Sequence, residues 1–358
     1  MARKNDTTVN YQWSSRPNDQ RFKDLESLRD VVAARTDRSI AVNANPNQLL
    51  AIGTEEGELF VDSQHGPLVF SNWSFNQIAQ AAGAPAAYLR TIPSPLAADC
   101  LNWGLRRDDG REENMLLIDK EEKRLRALTS TTYGRIWDLD VVNGVIRINE
   151  EAGGAWKVPA ASYATKNPER ATTLYASDRD VFMFLCDETH MIELNGEQLH
   201  RGFYVWNSET GSQTFGIATF LYRYVCDNRI IWGQENKQEL RIRHSSGAPE
   251  RFLREGAPAL KAYAESSTEQ VIQTIKKAKA LEVGKTDEDV LKWIKAQGFA
   301  AQFSKRVFDQ ALAEEGRCAS VWEVAQGVSA LARAIPFTDT RIDLERRAGR
   351  MIEVAAAA

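Results

Sequence analysis

The sequence has no long apolar run that would predict a membrane protein. No stretch of about 18 consecutive apolar residues is present, so we expect no membrane-spanning helix. The first residues, MARKNDTTVN, lack the apolar centre of a signal peptide. We therefore expect a cytoplasmic protein with no membrane partner.

The chain also has few residues of the types that bind metals, with four cysteines and four histidines among 358 residues. The cysteines form no C-x-x-C pair, which argues against the usual structural zinc motifs. In CDETH (186–190), a thiol and an imidazole lie four residues apart, as in half of a helical metal site. The preceding VFMFLCD alternates like a strand, however, which would separate the two groups. We predict structural thiols at Cys186 and Cys226 and no metal site.

Common catalytic and phosphate-binding motifs are absent as well. The chain contains no H-E-x-x-H and no G-x-S-x-G, and EAGGAWK (151–157) lacks the G-x-x-x-x-G-K-[ST] spacing of a phosphate loop. Nothing therefore predicts a cofactor, and a non-enzymatic protein is favoured. An unrecognised active site near Cys186, His190 or His244 is the least favoured alternative.

Neither sign of charge is in large excess. Lysine and arginine number 45 and aspartate and glutamate 49, for a net charge of −4. This balance argues against a protein whose whole surface binds a polyanion, although it leaves room for a local basic groove.

The periodicity of the sequence predicts helices at both ends and strands between them. Residues 24–35 predict a helix, residues 49–62 a hairpin, and residues 74–107 a helical cluster with a capping box at Ser74 and Gln77. From residue 115 to 233 the predicted strands are MLLID, LRALTS, GVIRIN, DVFMFLCD, MIELNG, FYVWNSE and TFGIATFLYRYVC. Five helical segments follow beyond about residue 255.

These patterns predict an α+β fold. A mainly antiparallel central sheet is expected, with an N-terminal helical cluster and a C-terminal helical bundle. The predicted domains are an α+β extension (1–70), an α+β core (71–255) and a helical region (256–358).

The segment QIAQAAGAPAAYLRTIP (77–93) predicts two short helices around Gly83. Such a pair is either a helix-turn-helix that reads DNA or an αα-hairpin that only packs. The second helix carries only Arg90 and ends at Pro93, which favours the hairpin.

The predicted strands combine arginine with aromatic residues, in TSTTYGRIW (129–137), FLYRYVCDNRIIWG (220–233) and RIRH (241–244). Rings stack on bases and arginines pair with phosphates, so such a sheet can hold a single nucleic-acid strand without reading its sequence. The same alternation is typical of a core strand with one solvated side. On the first interpretation, the predicted nucleic-acid-binding residues are Tyr133, Arg135, Trp137, Tyr222, Arg223, Tyr224, Arg229, Arg241 and Arg243.

Several segments resemble one family. They are GAPAAYLRTIPSPLAADCLNWGLR, LRALTSTTYGRIWDLDVV, FYVWNSETGSQTFGIATFLYRYVCDNRIIWG and SVWEVAQGVSALARA. The most specific part is an NSE-x-G turn (207–211) before a strand that ends in R-x-V-C-x-N-G. From about residue 70 to the C-terminus, the chain resembles the phage- and plasmid-associated proteins known as domain of unknown function 932. Arg229 stands where that family usually has glycine.

The resemblance implies a mobile genetic element in a bacterial host and names no catalytic residue. Together with the aromatic and arginine residues, it predicts an oligomeric protein that binds single-stranded DNA, or an annealing factor in recombination. The alternative is a counter-defence or host-interaction protein that acts through protein contacts, without catalysis.

Overall fold

The structure is a computed structural model, and the residues that it describes are 18–107, 113–158, 173–187, 189–194, 197–223, 228–230, 239–264, 269–333 and 338–357. It has an α+β fold with one antiparallel and one mixed sheet, which confirms the predicted class.

The described strands lie between residues 21 and 242. They are β1 (Arg21–Phe22), β2 (Ser39–Ala44), β3 (Leu50–Gly53), β4 (Leu59–Ser63), β5 (Gly66–Phe70), β6 (Asn114–Asp119), β7 (Arg124–Ser130), β8 (Trp156–Lys157), β9 (Leu174–Ala176), β10 (Val181–Asp187), β11 (Ile192–Leu194), β12 (Glu197–Asn207), β13 (Phe215–Arg223), β14 (Asn228–Ile230) and β15 (Glu239–Ile242).

Within the described residues these strands form two sheets. The first has the order β1-β9-β10-β12-β13-β14, with β8 on β10, β11 on β12 and β15 on β13, and its pairs are antiparallel. The second has the order β2-β6-β7-β5-β4-β3, in which β5 and β7 are parallel. The β5–β7 pair joins the two sides of residue 70, where a domain boundary is predicted. The boundaries at residues 70 and 255 stay predictions.

The described helices lie before, between and after the strands. They are α1 (Leu25–Arg38), α2 (Asn72–Ala81), α3 (Ala86–Leu89), α4 (Ser94–Leu105), α5 (Asp138–Glu151), α6 (Ala248–Arg251), α7 (Ala257–Ala264), α8 (Glu269–Ala280), α9 (Asp287–Ala296), α10 (Ala301–Glu315), α11 (Val321–Arg333) and α12 (Thr338–Ala357), with a π-helical turn at Phe252–Gly256 between α6 and α7. None of them combines the length and apolar character that crossing a bilayer requires.

One predicted strand, GVIRIN (144–149), is a helix, because it lies inside α5. The short segment alternates like a strand, but the longer window has apolar residues at the spacing of one helix face. The buried apolar residues of α5 are Val141, Val142, Val145 and Ile148.

The capping box of α2 lies three residues before its predicted position. The amide of Ser74 donates to Ser71 Oγ at 3.0 Å, and the amide of Ser71 donates to Ser74 Oγ at 2.9 Å. Ser71 follows β5 directly, so the helix begins as soon as the strand ends. Gln77, the predicted partner of Ser74, makes other contacts that are described below.

The three largest apolar clusters of the described residues hold these elements together. The first sheet packs on α1, α5 and α7 through residues such as Leu28, Val142 and Leu260. Leu199 and Leu221 of the same sheet pack against the C-terminal helices. The second sheet packs on α2, α3 and α4. The helical cluster and the C-terminal helices are thus confirmed, and the sites of interest lie where the two sheets meet.

Candidate functional site

The NSE-x-G turn that follows β12 lies inside the protein. Asn207, Ser208, Glu209 and Thr210 are at most 1% exposed. Gly211 has φ of +87°, a backbone conformation that glycine adopts at little cost. A buried turn must satisfy its backbone polar groups through other parts of the chain.

Side chains from α2 and from residue 133 hydrogen-bond to the backbone of this turn. Trp73 Nε1 and Gln77 Nε2 donate to the carbonyl of Thr210 at 3.0 and 2.9 Å. Tyr133 donates its hydroxyl proton to the carbonyl of Ser208 at 2.7 Å. The turn is therefore fixed against the second sheet and its helices.

The NSE-x-G turn also holds the loop between β9 and β10 in place. Ser208 Oγ and Thr210 Oγ1 donate to the carbonyl of Arg179 at 2.7 and 2.9 Å. These bonds involve the backbone of Arg179, so the position of its side chain depends on the turn.

Glu209 is the centre of a buried ion cluster formed by Arg35, Arg126, Arg135, Asp138 and Glu209. Its carboxylate accepts a hydrogen bond from Arg126 Nη2, and Glu209 Oε2 accepts one from the amide of Asp138 at 3.2 Å. Arg135 donates to the backbone carbonyl of Glu209. Burial alone would raise the pKa of Glu209, but the charges of Arg126 and Arg35 hold it below its usual value.

Asp138, the first residue of α5, behaves differently. Its Oδ1 accepts a hydrogen bond from Asn207 Nδ2 at 2.8 Å, whereas Oδ2 lies 4.0 Å from Arg35 Nη1. Burial, and then the charge of Glu209, raise the pKa of Asp138 well above its usual value. The three guanidinium groups of the cluster outnumber its carboxylates even when both are ionised, so the cluster has a positive excess.

We expect Asp138→Asn to leave the free energy of unfolding at pH 7 nearly unchanged. Burial disfavours the charged form, and asparagine keeps an oxygen that accepts from Asn207. A raised pKa in the folded state means that the wild-type protein loses stability as pH rises from about 3.9, the unfolded value, through the folded value. Denaturant titrations at several pH values should show that the variant lacks this loss. If Asp138→Asn lowers the free energy of unfolding by several kcal/mol at pH 7, the prediction is contradicted.

Two residues of the ion cluster, Arg35 and Arg126, also line a cleft of about 800 Å³ between the two sheets and α1. We call it the arginine cleft, after the five arginines that line it. They are Arg35, Arg38, Arg124, Arg126 and Arg179. Arg35 and Arg38 come from α1, Arg124 and Arg126 from β7, and Arg179 from the loop between β9 and β10.

Four carboxylates also line the cleft: Asp19, Asp119, Glu122 and Asp178. Arg38 Nε lies 2.9 Å from Asp119, and Arg124 Nε lies 3.2 Å from Glu122, so those two acids are already paired. Within the described residues, the guanidinium of Arg179 makes no ion pair, and it lies 5.9 Å from the ring of Trp73. Arg179 is therefore available to an anion in the cleft.

The first group of predicted binding residues lies close to the NSE-x-G turn, with Arg135 buried and Tyr133 and Trp137 half-buried. Arg135 is 9% exposed, and its guanidinium lies 5.4 Å from the Tyr133 ring and 5.6 Å from the Trp137 ring. The ring of His244 stacks on Tyr133 at 4.8 Å. Tyr133 and Arg135 therefore stabilise the turn, and the assignment of this group as nucleic-acid contacts stays a prediction.

Part of the second group, Tyr222, Arg223 and Arg229, lies at the other end of β13. Arg241 pairs instead with Gly216, near the start of that strand. Tyr222 pairs with Arg229, and Arg223 with Asn228, in the antiparallel β13–β14 ladder. Arg229 is thus extended and lies in a strand. Tyr224 and Cys226 fall outside the described residues. Arg241 and Arg243 are exposed, and the guanidinium of Arg241 lies 5.8 Å from the ring of Trp206.

The thiol and the imidazole of CDETH are separated, as the strand interpretation predicts. Cys186 is fully buried in β10, whereas the side chain of His190 is 67% exposed and its Nδ1 lies 3.0 Å from Asp187 Oδ2. His244 is buried, and burial lowers its pKa to about 4, so it is neutral at pH 7. Across the described ranges, no group of three or more histidines, cysteines and carboxylates is arranged to hold a metal ion.

Sequence reasoning missed the arginines of the cleft, although a signal was present. Arg35 and Arg38 are three apart on a helix, and Arg124 and Arg126 are two apart on a strand. Each spacing places both side chains on one face. The spacing does not show that this face of α1 and this face of β7 meet in the fold.

Fold and site together define an α+β protein in which a buried turn supports an arginine-lined cleft. Residues 163–328, which include that turn, match the family model described as Domain of unknown function (DUF932). The match is to the family that the resemblance predicted, although it is shorter than the expected span from residue 70. No curated protein and no solved structure matches the chain.

Proposed function

We propose that the protein binds single-stranded nucleic acid, with phosphates of the strand in the arginine cleft. The observation that carries this proposal is that five arginines from three separate parts of the chain line one cleft, in a protein with a net charge of −4. Guanidinium groups match phosphate oxygens in charge and geometry. The five arginines outnumber the four carboxylates on the same lining by one, and a local positive excess attracts a polyanion even when the whole protein is acidic.

The size of the cleft favours a flexible strand over a duplex. A volume of about 800 Å³ is that of a site for a small molecule, which suits a short segment of a single strand. The four residues of α3 make only about one turn, too short to serve as the recognition helix of a helix-turn-helix. Contacts to phosphates would hold the strand without reading its sequence.

We further propose that this binding serves a phage or plasmid in a bacterial cell, as an annealing or recombination factor. The resemblance described above supports that setting. A homo-oligomer would present several copies of the cleft to one long strand. Light scattering at micromolar concentration tests this extension, and a monomer in the presence of long single-stranded DNA would contradict it.

We expect a labelled oligothymidylate to bind at low salt and to be released as salt rises. If three to five phosphates are neutralised, the logarithm of the association constant should fall against the logarithm of salt concentration with a slope of about −2 to −3.5. Fluorescence anisotropy measures both the affinity and its dependence on salt concentration. Absence of binding at low salt would contradict the proposal and favour the alternative of a protein that acts through protein contacts.

A further inference from the structure

Two large aromatic side chains, on α3 and α4, are exposed on the surface. Trp103 is 76% exposed and Tyr88 is 57% exposed, and Trp103 is the most exposed large apolar residue in the described part of the chain. The buried face of α4 consists of other residues, including Ala97, Leu101 and Leu105. The indole of Trp103 therefore points away from the core that α4 helps to form.

These two rings line a groove of about 540 Å³, which we call the Trp103 groove. Its lining includes Ala82, Gly83, Leu89 and Arg107 as well. Gly104 allows the groove to form, because a Cβ atom there would lie 1.9 Å from the carbonyl oxygen of Ala82. The ends of α2 and α4 are thus in close contact, and both rings line the groove beside that contact.

One edge of the groove is basic. The guanidinium of Arg107 lies over Gly83, with Nη1 3.7 Å from the position that a Cβ atom would take. Asp99 is on the same lining, so the groove has one charge of each sign. Aromatic faces with an arginine beside them are the features by which proteins hold unpaired bases.

The groove is connected to the arginine cleft through α2. Asn72 and Asn76 line the cleft, whereas Ala82 and Gly83, just after the same helix, line the groove. A helix rises about 1.5 Å per residue, so the six residues from Asn76 to Ala82 span about 9 Å along its axis. Arg90, two residues after Tyr88, donates to Asn76 Oδ1 at 2.9 Å and to the carbonyl of Asn72 at 3.1 Å.

We propose that the Trp103 groove holds an unpaired nucleobase of the same strand whose phosphates occupy the arginine cleft. This inference rests on the proposed function. The continuity of the two sites along α2, and the arginine beside the rings, favour a base over an apolar protein segment. Stacking on Trp103 adds affinity for any base, so it gives binding strength without sequence preference.

The test compares two probes on the wild-type protein, Trp103→Ala and Trp103→Phe. One probe is a labelled oligothymidylate, and the other is an abasic oligonucleotide with the same number of phosphates. Trp103→Ala should weaken binding of the oligothymidylate roughly tenfold, with an unchanged salt slope, and should leave binding of the abasic probe unchanged. Trp103→Phe should retain most of the affinity. Leu96→Ala, an exposed position on the same helix outside the groove, is the matched control and should have no effect.

The outcomes separate this inference from the proposed function. If the wild-type protein binds neither probe, the proposed function fails. If it binds the oligothymidylate and Trp103→Ala binds equally well, or weakens both probes alike, the groove does not hold a base. A wild-type dimer that Trp103→Ala dissociates would show that a second copy of the chain covers the groove, and would also overturn the inference.

Discussion

Replacing Glu209 with alanine is expected to lower the free energy of unfolding by about 3–5 kcal/mol, because it leaves buried guanidinium groups without their carboxylate. Arg126 is 2% exposed and donates to Glu209, and the charge of Arg35 also acts on that carboxylate. The amide of Asp138 would lose its acceptor as well. Urea denaturation followed by circular dichroism measures the change.

Glu113→Ala, at an exposed position, is the matched control and should change the free energy of unfolding by less than about 0.5 kcal/mol. If Glu209→Ala lowers the free energy of unfolding as little as this control does, water or rearranged side chains compensate the charge of Arg126. The buried ion cluster would then not be the structural centre of the site. Because the pKa of Glu209 is lowered in the folded state, its contribution should be present above the unfolded value of about 4.3 and lost as pH falls through the folded value.

Much of the fold follows from local patterns in the sequence. The run DVFMFLCD predicts β10 because it is apolar, rich in aromatic residues and bounded by polar residues, and it is buried along its whole length. The wrong prediction of a strand at GVIRIN also came from a local pattern. A six-residue window does not distinguish a strand from part of a helix face. Secondary structure was therefore predictable wherever the window was as long as the element.

The site was not predictable in this way, because its parts are far apart in the chain. Arg126 and Glu209 are 83 residues apart, and Arg135 is 74 residues from Glu209. The motif around Asn207 and Glu209 was visible, but its partners are ordinary arginines on α1 and β7. Tyr133, Arg135 and Trp137 have the composition of a binding surface, but Tyr133 and Arg135 hydrogen-bond to the turn in the structure. Composition alone does not distinguish an arginine that binds a ligand from one that serves a buried carboxylate.

Removing two arginines of the cleft, Arg124→Ala with Arg179→Ala, is expected to weaken binding of single-stranded DNA roughly tenfold for each arginine. A hydrogen bond to a charged group contributes about 1.5–3 kcal/mol, and about 1.4 kcal/mol corresponds to tenfold in affinity. The stability of the fold should change little. The side chain of Arg124 is 41% exposed, and the side chain of Arg179 makes no ion pair in the described part of the chain. The hydrogen bonds at Arg179 that fix its loop come from its backbone carbonyl.

Arg29→Ala with Arg254→Ala is the matched control, because it removes the same charge from exposed positions outside the cleft. It should leave the affinity within about twofold of wild type, because neither arginine lines the cleft. Arg223→Ala, measured alongside, tests the prediction made from the sequence that this arginine contacts the strand. If Arg223→Ala is the only variant that weakens binding, the single-stranded DNA contacts the end of β13.

The most direct test of the arginine cleft is the salt dependence of oligothymidylate binding, measured by anisotropy on the wild-type protein and on the Arg124→Ala, Arg179→Ala double variant. If each arginine neutralises one phosphate, the slope of the logarithm of the association constant should become shallower by about 1.4, with an unchanged melting temperature. An unchanged slope and affinity in a folded variant would contradict the account. A similar change in the Arg29→Ala, Arg254→Ala control would equally show that the cleft is not where the phosphates bind.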